Sequence, residues 1–98
     1  NKQYENAIKW FEKAAEQDSV AAQAHLGSIY SENKQYENAI EWFEKAAEQG
    51  DAPSQNSLGV IYHTGVAGIT DFKKAAEWYQ KAADQGNETA QYNLGLLR

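Results

Sequence analysis

Apolar residues recur along the chain with the period of an α-helix. Residues 33–49 show this most clearly, because their apolar positions follow i, i+3, i+4 and i+7 and form one stripe: Tyr36, Ala39, Ile40, Phe43, Ala46 and Ala47. Such spacing is typical of an amphipathic helix that buries one face. Segments of this kind predict an all-α protein with six helices, at about residues 3–16, 20–31, 35–48, 52–63, 71–84 and 88–97.

The six segments belong to two alternating series. Residues 1–17 and 33–49 differ only in Lys9 against Glu41, and residues 71–85 are a third version of the same segment, which we name helix B. The other series, helix A, carries a Leu-Gly pair and covers residues 20–30, 52–62 and 88–98. The order B-A-B-A-B-A predicts a stack of antiparallel helix hairpins in one repeat domain, residues 1–98.

The two kinds of connection between helices differ in length. The tryptophan of each helix B lies 17 positions before the Leu-Gly glycine of the following helix A in all three copies. In the other direction, Gly27 and Trp42 are 15 positions apart, whereas Gly59 and Trp78 are 19 apart. Four extra residues therefore lie in the loop around residues 63–70. Because length varies on one side of the repeat only, we expect that side to be exposed.

Residues between the helices have the chemistry of helix ends. Gly50 and Gly86 follow helix B, at the position where a left-handed residue commonly ends a helix, and Asp18 takes that position in the first copy at some energetic cost. The residue that follows each of them has a side-chain oxygen that can accept from the amides of the next helix: Ser19, Asp51 and Asn87. For Asn87, this role explains the residue better than the glycosylation sequon that it begins.

Each helix A has a glycine in its interior, at Gly27, Gly59 and Gly95. A glycine there costs about 1 kcal/mol relative to alanine. We interpret the repeated placement as a close approach of helix A to its partner helix B. The flat surface on helix B is expected to come from its alanine pairs: Ala14 and Ala15, Ala46 and Ala47, Ala82 and Ala83.

Composition excludes several classes of partner. The net charge is −5 and the only adjacent cations are Lys73 and Lys74, which argues against nucleic acid and anionic membrane surfaces. No cysteine is present, so disulfides and cysteine zinc sites are excluded. No apolar run approaches a membrane span. Because the sequence opens on Asn1 and stops at Leu97–Arg98 inside an apolar run, we expect it to be an excised piece of a longer protein.

No catalytic, metal or cofactor motif appears. His25 and His63 lack a second ligand at metal spacing, so we interpret His25 as a surface residue and His63 as a cation suited to a helix C-terminus. Carboxylates lie on helix faces interleaved with lysine, which favours solvated side chains over a catalytic pair. The row of Trp10, Trp42 and Trp78 is interpreted as packing between helices in preference to a platform for an aromatic ligand.

Residues 90–95, AQYNLG, and 71–86, DFKKAAEWYQKAADQG, resemble the signature of Sel-1-like repeats, a tetratricopeptide-like family. The unit from Gly59 to Gly95 has the 36 residues typical of that family, whereas the unit from Gly27 to Gly59 has 32 and the short loop of the tetratricopeptide type. The resemblance implies an α-solenoid with a right-handed superhelix. It also implies that the A helices line a concave face.

On the concave face, the resemblance implies that a protein or peptide ligand contacts the side of helix A opposite its buried leucine. Those positions differ between the copies, which suits a binding surface and equally suits plain solvent exposure: Ala24, Ser28, Ser31, Asn56, Val60, His63, Tyr92 and Leu96.

Three functions are therefore weighed. The first is a protein- or peptide-binding adaptor or scaffold. The second is a structural spacer, or a segment that associates end to end through the unpaired terminal helices, which expose Trp10 and Phe11 at one end and Leu94 and Leu97 at the other. The third is an enzyme, since some cysteine-rich members of the family are linked to β-lactam chemistry. Because those cysteines and any catalytic constellation are missing here, we expect a protein that is not an enzyme.

Overall fold

A computed structural model describes residues 2–97 of the chain, apart from the side chains of Lys2 and Tyr4. Asn1 and Arg98, the ends of the predicted repeat domain, lie outside the described residues. The described part has no strand and forms six α-helices: α1 Lys2–Glu16, α2 Val20–Glu32, α3 Tyr36–Glu48, α4 Ala52–Thr64, α5 Phe72–Asp84 and α6 Glu88–Leu97. Helix B thus corresponds to α1, α3 and α5, and helix A to α2, α4 and α6.

The helices pack mainly against their neighbours in sequence, so they form an elongated stack that measures 43 × 26 × 17 Å. Contacts beyond sequence neighbours are few, and the main ones join α4 and α6, two A helices of adjacent repeats. This nearest-neighbour arrangement is that of a solenoid. The prediction of an all-α solenoid is confirmed.

The helix ends use the residues that the sequence predicts. Ser19 Oγ accepts from the Ala22 amide at 3.3 Å, and Asn87 Oδ1 accepts from the Ala90 amide at 2.8 Å. Asp51 does the same for α4. The left-handed residues are confirmed as well, with φ of +66° at Asp18, +93° at Gly50 and +87° at Gly86. Lys34, at φ +63°, takes the same conformation after α2, which the sequence did not indicate.

The longer connection, residues 65–71, begins where Gly65 ends α4 in a left-handed conformation and donates its amide to the Ile61 carbonyl. It closes where the Asp71 amide donates to the Tyr62 carbonyl at 3.0 Å. Asp71 then caps α5, because its carboxylate accepts from the Lys74 amide at 3.0 Å, so α5 begins at Phe72 and not at Asp71. Val66 and Ile69 remain exposed in this loop.

The core runs along the contact between the A and B helices. Ala39, Phe43, Ala46 and Ala47 are buried, as the apolar stripe of α3 predicts. All of these except Ala46 join residues from α4, α5 and α6 in one cluster, while Ala15, Ala22 and Leu26 form a second cluster between α1 and α2. Leu26 and Leu58, the leucines of two Leu-Gly pairs, have no exposed surface.

The interior glycines permit a close approach, but the contact differs from the predicted one. A Cβ on Gly27 would lie 2.5 Å from the ring of Phe43, and a Cβ on Gly59 would overlap the ring of Tyr79. The surface that meets the glycine is therefore an aromatic ring of the following helix B, and the prediction that the alanine pairs would meet it is wrong.

Candidate functional site

An open groove of about 450 Å³ runs between α2 and α4 on the side of the A helices. Its floor includes two buried side chains, Phe43 of α3 and Ile61 of α4. Its walls are hydroxyl, amide and apolar side chains, with one carboxylate: Ser28, Ser31, Glu32, Tyr36, Asn56, Ser57, Val60, Thr64 and Val66. Such a groove can hold an extended segment by apolar contact and neutral hydrogen bonds.

The groove brings together four of the eight residues that the sequence singles out: Ser28, Ser31, Asn56 and Val60. Ala24 is half-buried elsewhere on α2. Tyr92 and Leu96 lie on α6 and are 69% and 60% exposed. They extend the row of exposed A-helix positions but do not line this groove.

His63, the eighth residue, is half-buried and lies against α5. Its Nδ1 is 3.2 Å from the Tyr79 hydroxyl, and its ring meets the rings of Tyr79 and Phe72 edge to face at 6.0 Å. Burial raises the pKa of the Tyr79 phenol, which keeps its proton for this contact. In the repeat alignment, His63 of α4 is the equivalent of Ser31 of α2.

A second contact joins α4 to α6. Asn93 Nδ2 donates to Asn56 Oδ1 at 3.1 Å. The equivalent positions between α2 and α4 hold Ser57 and Ala24, two small side chains. The two inter-repeat interfaces thus differ, because the second has a hydrogen-bonded asparagine pair and a histidine packed on Tyr79 where the first has small side chains.

Lysine side chains are found on the B helices and not on the described part of the A helices. Every described lysine lies on α1, α3, α5 or the turn after α2, and the described part of the A helices carries no lysine or arginine. The groove therefore presents no cation to an acidic ligand. Glu32 is its one carboxylate. Recognition there relies on shape and neutral polar contact rather than on ion pairs.

Val66 is a groove residue that sequence reasoning missed. It belongs to the inserted loop, is half exposed and forms part of the groove rim. The available signal was the presence of Val66 and Ile69, two apolar residues, in a loop rich in glycine. The insertion thus adds apolar surface to the site.

Sequence reasoning also missed a set of equivalent glutamines, one in each helix A, of which the first two are buried and the third is exposed. We name them the glutamine row: Gln23, Gln55 and Gln91. Gln23 Nε2 donates to the Ala15 carbonyl of the preceding helix B at 3.2 Å, and Gln23 Oε1 accepts from Gln49 of the following helix B at 2.7 Å. Gln55 repeats both bonds, with Ala47 and Gln85. The row fixes how the hairpins stack and so positions the groove.

Two of the three tryptophans pack between helices, as predicted, and both belong to a helix B that follows a helix A in the described chain. Trp42 and Trp78 are partly buried against the core, and Lys45 and Lys81 lie over their rings with Nζ 4.8 Å from the ring centroid. Trp10 is 68% exposed. His25 is exposed, as predicted, and stacks on Phe11 at 5.2 Å between ring centroids.

Residues 2–97 hold neither a cluster of metal-ligand side chains nor a helix that could span a membrane. No three histidine, aspartate or glutamate side chains of this part come together in a way that could hold a metal ion. None of its helices has the length and apolar character needed to cross a membrane.

Two family models match the chain. The model described as "Sel1 repeat" matches residues 52–87 and 89–98, and the model described as "Anaphase-promoting complex, cyclosome, subunit 3" matches residues 1–62. The change from one model to the other falls where the repeat changes from 32 to 36 residues. No match was found among curated proteins.

Two solved structures are similar over 95% of the chain. One is a protective antigen of uropathogenic Escherichia coli with an SLR fold, at a TM-score of 0.86 and 42% identity. The other is a Sel1 repeat protein from Oxalobacter formigenes, at a TM-score of 0.83 and 37% identity. The chain spans 21% of the first protein and 40% of the second. With its six-helix stack, its Leu-Gly signature and these matches, the chain belongs to the Sel1 repeat family.

Proposed function

We propose that this chain is a binding module that holds an uncharged segment of another protein in the groove between α2 and α4, and so acts as an adaptor or scaffold. Sel1-like repeats are generally protein-interaction modules. The observation that carries the proposal is the open groove itself, whose floor includes the apolar side chains of Phe43 and Ile61 and whose walls combine polar and apolar residues. Ligand sites commonly combine such an apolar floor with a few polar groups.

The lining favours one class of ligand. Val60 and Val66 offer apolar contact at the rim, while Ser28 and Ser31 offer hydroxyls that can donate or accept. The Thr64 hydroxyl, which donates to the Val60 carbonyl at 2.8 Å, can accept from a ligand. No lysine or arginine lines the groove, so a phosphorylated or acidic segment would lose its solvation without a compensating cation. An extended, mostly apolar segment with its own backbone groups fits this surface best.

Val60→Asp tests the proposal. The variant places a carboxylate on the exposed rim of the groove, where an apolar ligand segment would have to desolvate it. Ile69→Asp is the matched control, because it introduces the same charge at an exposed apolar residue that does not line the groove. Both variants are expected to keep the helical circular dichroism of the wild type.

The measurement is quantitative capture of proteins from a lysate of the source cells by the immobilised chain. We expect at least one protein to be captured by the wild type and by Ile69→Asp, and to be lost with Val60→Asp. If Val60→Asp captures the same proteins in the same amounts as the wild type, the groove is not the binding site.

A further inference from the structure

Three of the residues that line the groove form one stripe along α4: Asn56, Val60 and Thr64. They are spaced four positions apart, so their side chains follow one another on the same side of the helix. The stripe carries an amide, an apolar side chain and a hydroxyl, in that order. At the rise of an α-helix, the amide and the hydroxyl are about 12 Å apart along the helix axis.

The amide of Asn56 is held at one end by α6. Asn93 Nδ2 donates to Asn56 Oδ1 at 3.1 Å, which leaves Asn56 Nδ2 as the end that can meet a ligand. Within residues 2–97, this nitrogen donates to no protein group, and no buried side-chain nitrogen or oxygen of this part lacks a partner. Asn56 Nδ2 is therefore a hydrogen-bond donor that is open to solvent at the groove.

The hydroxyl of Thr64 has the opposite polarity. It donates its one proton to the Val60 carbonyl at 2.8 Å, so its oxygen is left to accept from a ligand. Thr64 is exposed and is the last residue of α4. The stripe thus presents one fixed donor and one fixed acceptor, with an apolar side chain between them.

An extended peptide has matching groups at this distance. It advances about 3.3 Å per residue, so about 12 Å corresponds to three or four residues. Each residue offers one main-chain N–H and one main-chain carbonyl. A carbonyl at one end of such a stretch can meet Asn56 Nδ2, and an N–H at the other end can meet Thr64 Oγ1. A side chain between them then packs on Val60.

We propose that the groove recognises the main chain of an extended, uncharged segment of about four residues. Asn56 Nδ2 donates to one carbonyl of the segment, and Thr64 Oγ1 accepts from one N–H farther along it. Asn93 is a positioning residue, because it does not line the groove but keeps the Asn56 donor turned toward it. These roles rest on the proposed function, and they specify which groups of the segment the groove binds.

Asn56→Asp tests the donor. The variant keeps the shape of the side chain and an oxygen that accepts from Asn93, but it replaces Nδ2 by a second oxygen that repels a carbonyl. Thr64→Val tests the acceptor, because it removes the hydroxyl with little change in shape. Both residues are at least partly exposed, so neither substitution disturbs the core.

Asn93→Asp tests the positioning role from outside the groove. A carboxylate at this position can only accept, so the Asn56 amide turns to donate Nδ2 to it and presents Oδ1 to the ligand. Thr89→Asp is the matched control. It adds the same charge four positions earlier on α6, at an exposed residue outside the groove.

The probe is the blocked, uncharged tetrapeptide acetyl-Ala-Leu-Val-Ala-amide, titrated to millimolar concentration and followed by NMR of the isotope-labelled chain. In the wild type and in Thr89→Asp, we expect the signals of the Val60 main chain and of the Asn56 side-chain amide to shift together. Asn56→Asp and Asn93→Asp should each weaken binding by about tenfold or more, and Thr64→Val by about threefold or more.

The Asn56 amide signals also separate positioning from a general effect on the fold. In Asn93→Asp, these protons are already bonded to the introduced carboxylate, so their signals should no longer respond to the peptide. Unchanged affinity in Asn56→Asp or in Asn93→Asp overturns the proposed roles. Equal weakening by Asn93→Asp and Thr89→Asp would show an effect of charge alone and would overturn the positioning role.

One comparison separates failure of these roles from failure of the proposed function. If the peptide shifts the Val60 signals of the wild type but not those of the Asn56 side chain, the roles are overturned and the groove remains the binding site. If no signal of the groove responds to the peptide, both the proposed function and the roles are overturned.

Discussion

The ring of Phe43 occupies the space in which Gly27 would carry a side chain, since a Cβ there would lie 2.5 Å from the nearest ring carbon. The two residues belong to different helices, α2 and α3, and the ring is 4% exposed. This contact makes glycine a requirement of packing at one copy of the Leu-Gly pair. The third copy, Gly95, has no such contact within the described residues.

We therefore predict opposite effects for the same substitution at two copies. Gly27→Ala should destabilise the fold by about 1–3 kcal/mol, because overpacking against Phe43 outweighs the gain in helix propensity. Gly95→Ala should be neutral or stabilising by up to about 1 kcal/mol, because the added Cβ meets no atom within 4 Å among the described residues and only the helix propensity changes. Urea unfolding at low protein concentration measures both, and equal effects would contradict the packing argument.

The glutamine row supplies a second prediction. Gln55→Ala removes the bond to the Ala47 carbonyl and leaves Gln85 without its acceptor, in a site where Gln55 is 4% exposed. We expect a loss of about 1–3 kcal/mol in the free energy of unfolding, the cost of buried polar groups left unpaired. Gln91→Ala, at the exposed end of the row, should cost less than about 1 kcal/mol. Thermal unfolding of the two variants tests this order.

Glu44 provides a prediction about pH. Desolvation, followed by repulsion from Glu48, raises the pKa of this carboxyl above its ordinary 4.5, against an opposing effect of Lys74. The folded state thus holds the proton more tightly than the unfolded state, so the group lowers stability as pH rises from about 4.5 through the raised pKa. Below that window, the penalty is absent.

Glu44→Gln should therefore raise stability at neutral pH, by up to about 0.5 kcal/mol for a partly exposed side chain, and should lose this advantage near pH 4. The measurement is the difference in urea midpoint between variant and wild type at several pH values. Glu12→Gln, the equivalent substitution in α1, serves as the control. An advantage that grows as pH falls would contradict the sign of the effect.

A fourth prediction concerns the contact between His63 and Tyr79. Tyr79 is buried, and its hydroxyl lies 3.2 Å from His63 Nδ1. His63→Ala should cost about 1–2 kcal/mol, and Tyr79→Phe should cost less once His63 is gone, with a coupling of about 0.5–1 kcal/mol in a double-mutant cycle. Additive effects would show that the two side chains act independently in stability.

The reach of the binding surface can be tested separately. If the ligand extends from the groove onto α6, Tyr92→Ala should weaken capture of a partner that the wild type holds, because Tyr92 is an exposed residue of α6 outside the groove, while the circular dichroism of the variant stays helical. Ile69→Asp again serves as the matched surface control. A variant that keeps the partner would confine binding to the groove between α2 and α4.

Local features of this fold could be predicted because local chemistry determines them. Helix caps at Ser19, Asp51 and Asn87 depend on bonds three residues apart, and left-handed turns at Gly50 and Gly86 depend on one residue. The alternation of helices A and B follows from the repeated pattern in the same way.

Contacts across helices were harder to predict. The glycine positions correctly indicated a close approach, but helix B offers both an alanine row and an aromatic ring, and spacing does not say which one faces the glycine. Buried glutamines were missed because glutamine is mostly an exposed residue. For the site, half of the positions that the sequence singled out on helix A are exposed, and the others are half-buried. The sequence did not indicate that His63 turns toward Tyr79 or that the inserted loop contributes Val66.

The difference between the two inter-repeat grooves has an evolutionary consequence. Ser57 borders the open groove between α2 and α4, whereas its counterpart Asn93 donates to Asn56 between α4 and α6. Side chains at such positions therefore differ from one repeat interface to the next without a change in the helix caps or the core. After a duplication, each new copy starts with the same scaffold and can change its groove through these positions. The scaffold and the sites that it offers can thus diverge at separate rates.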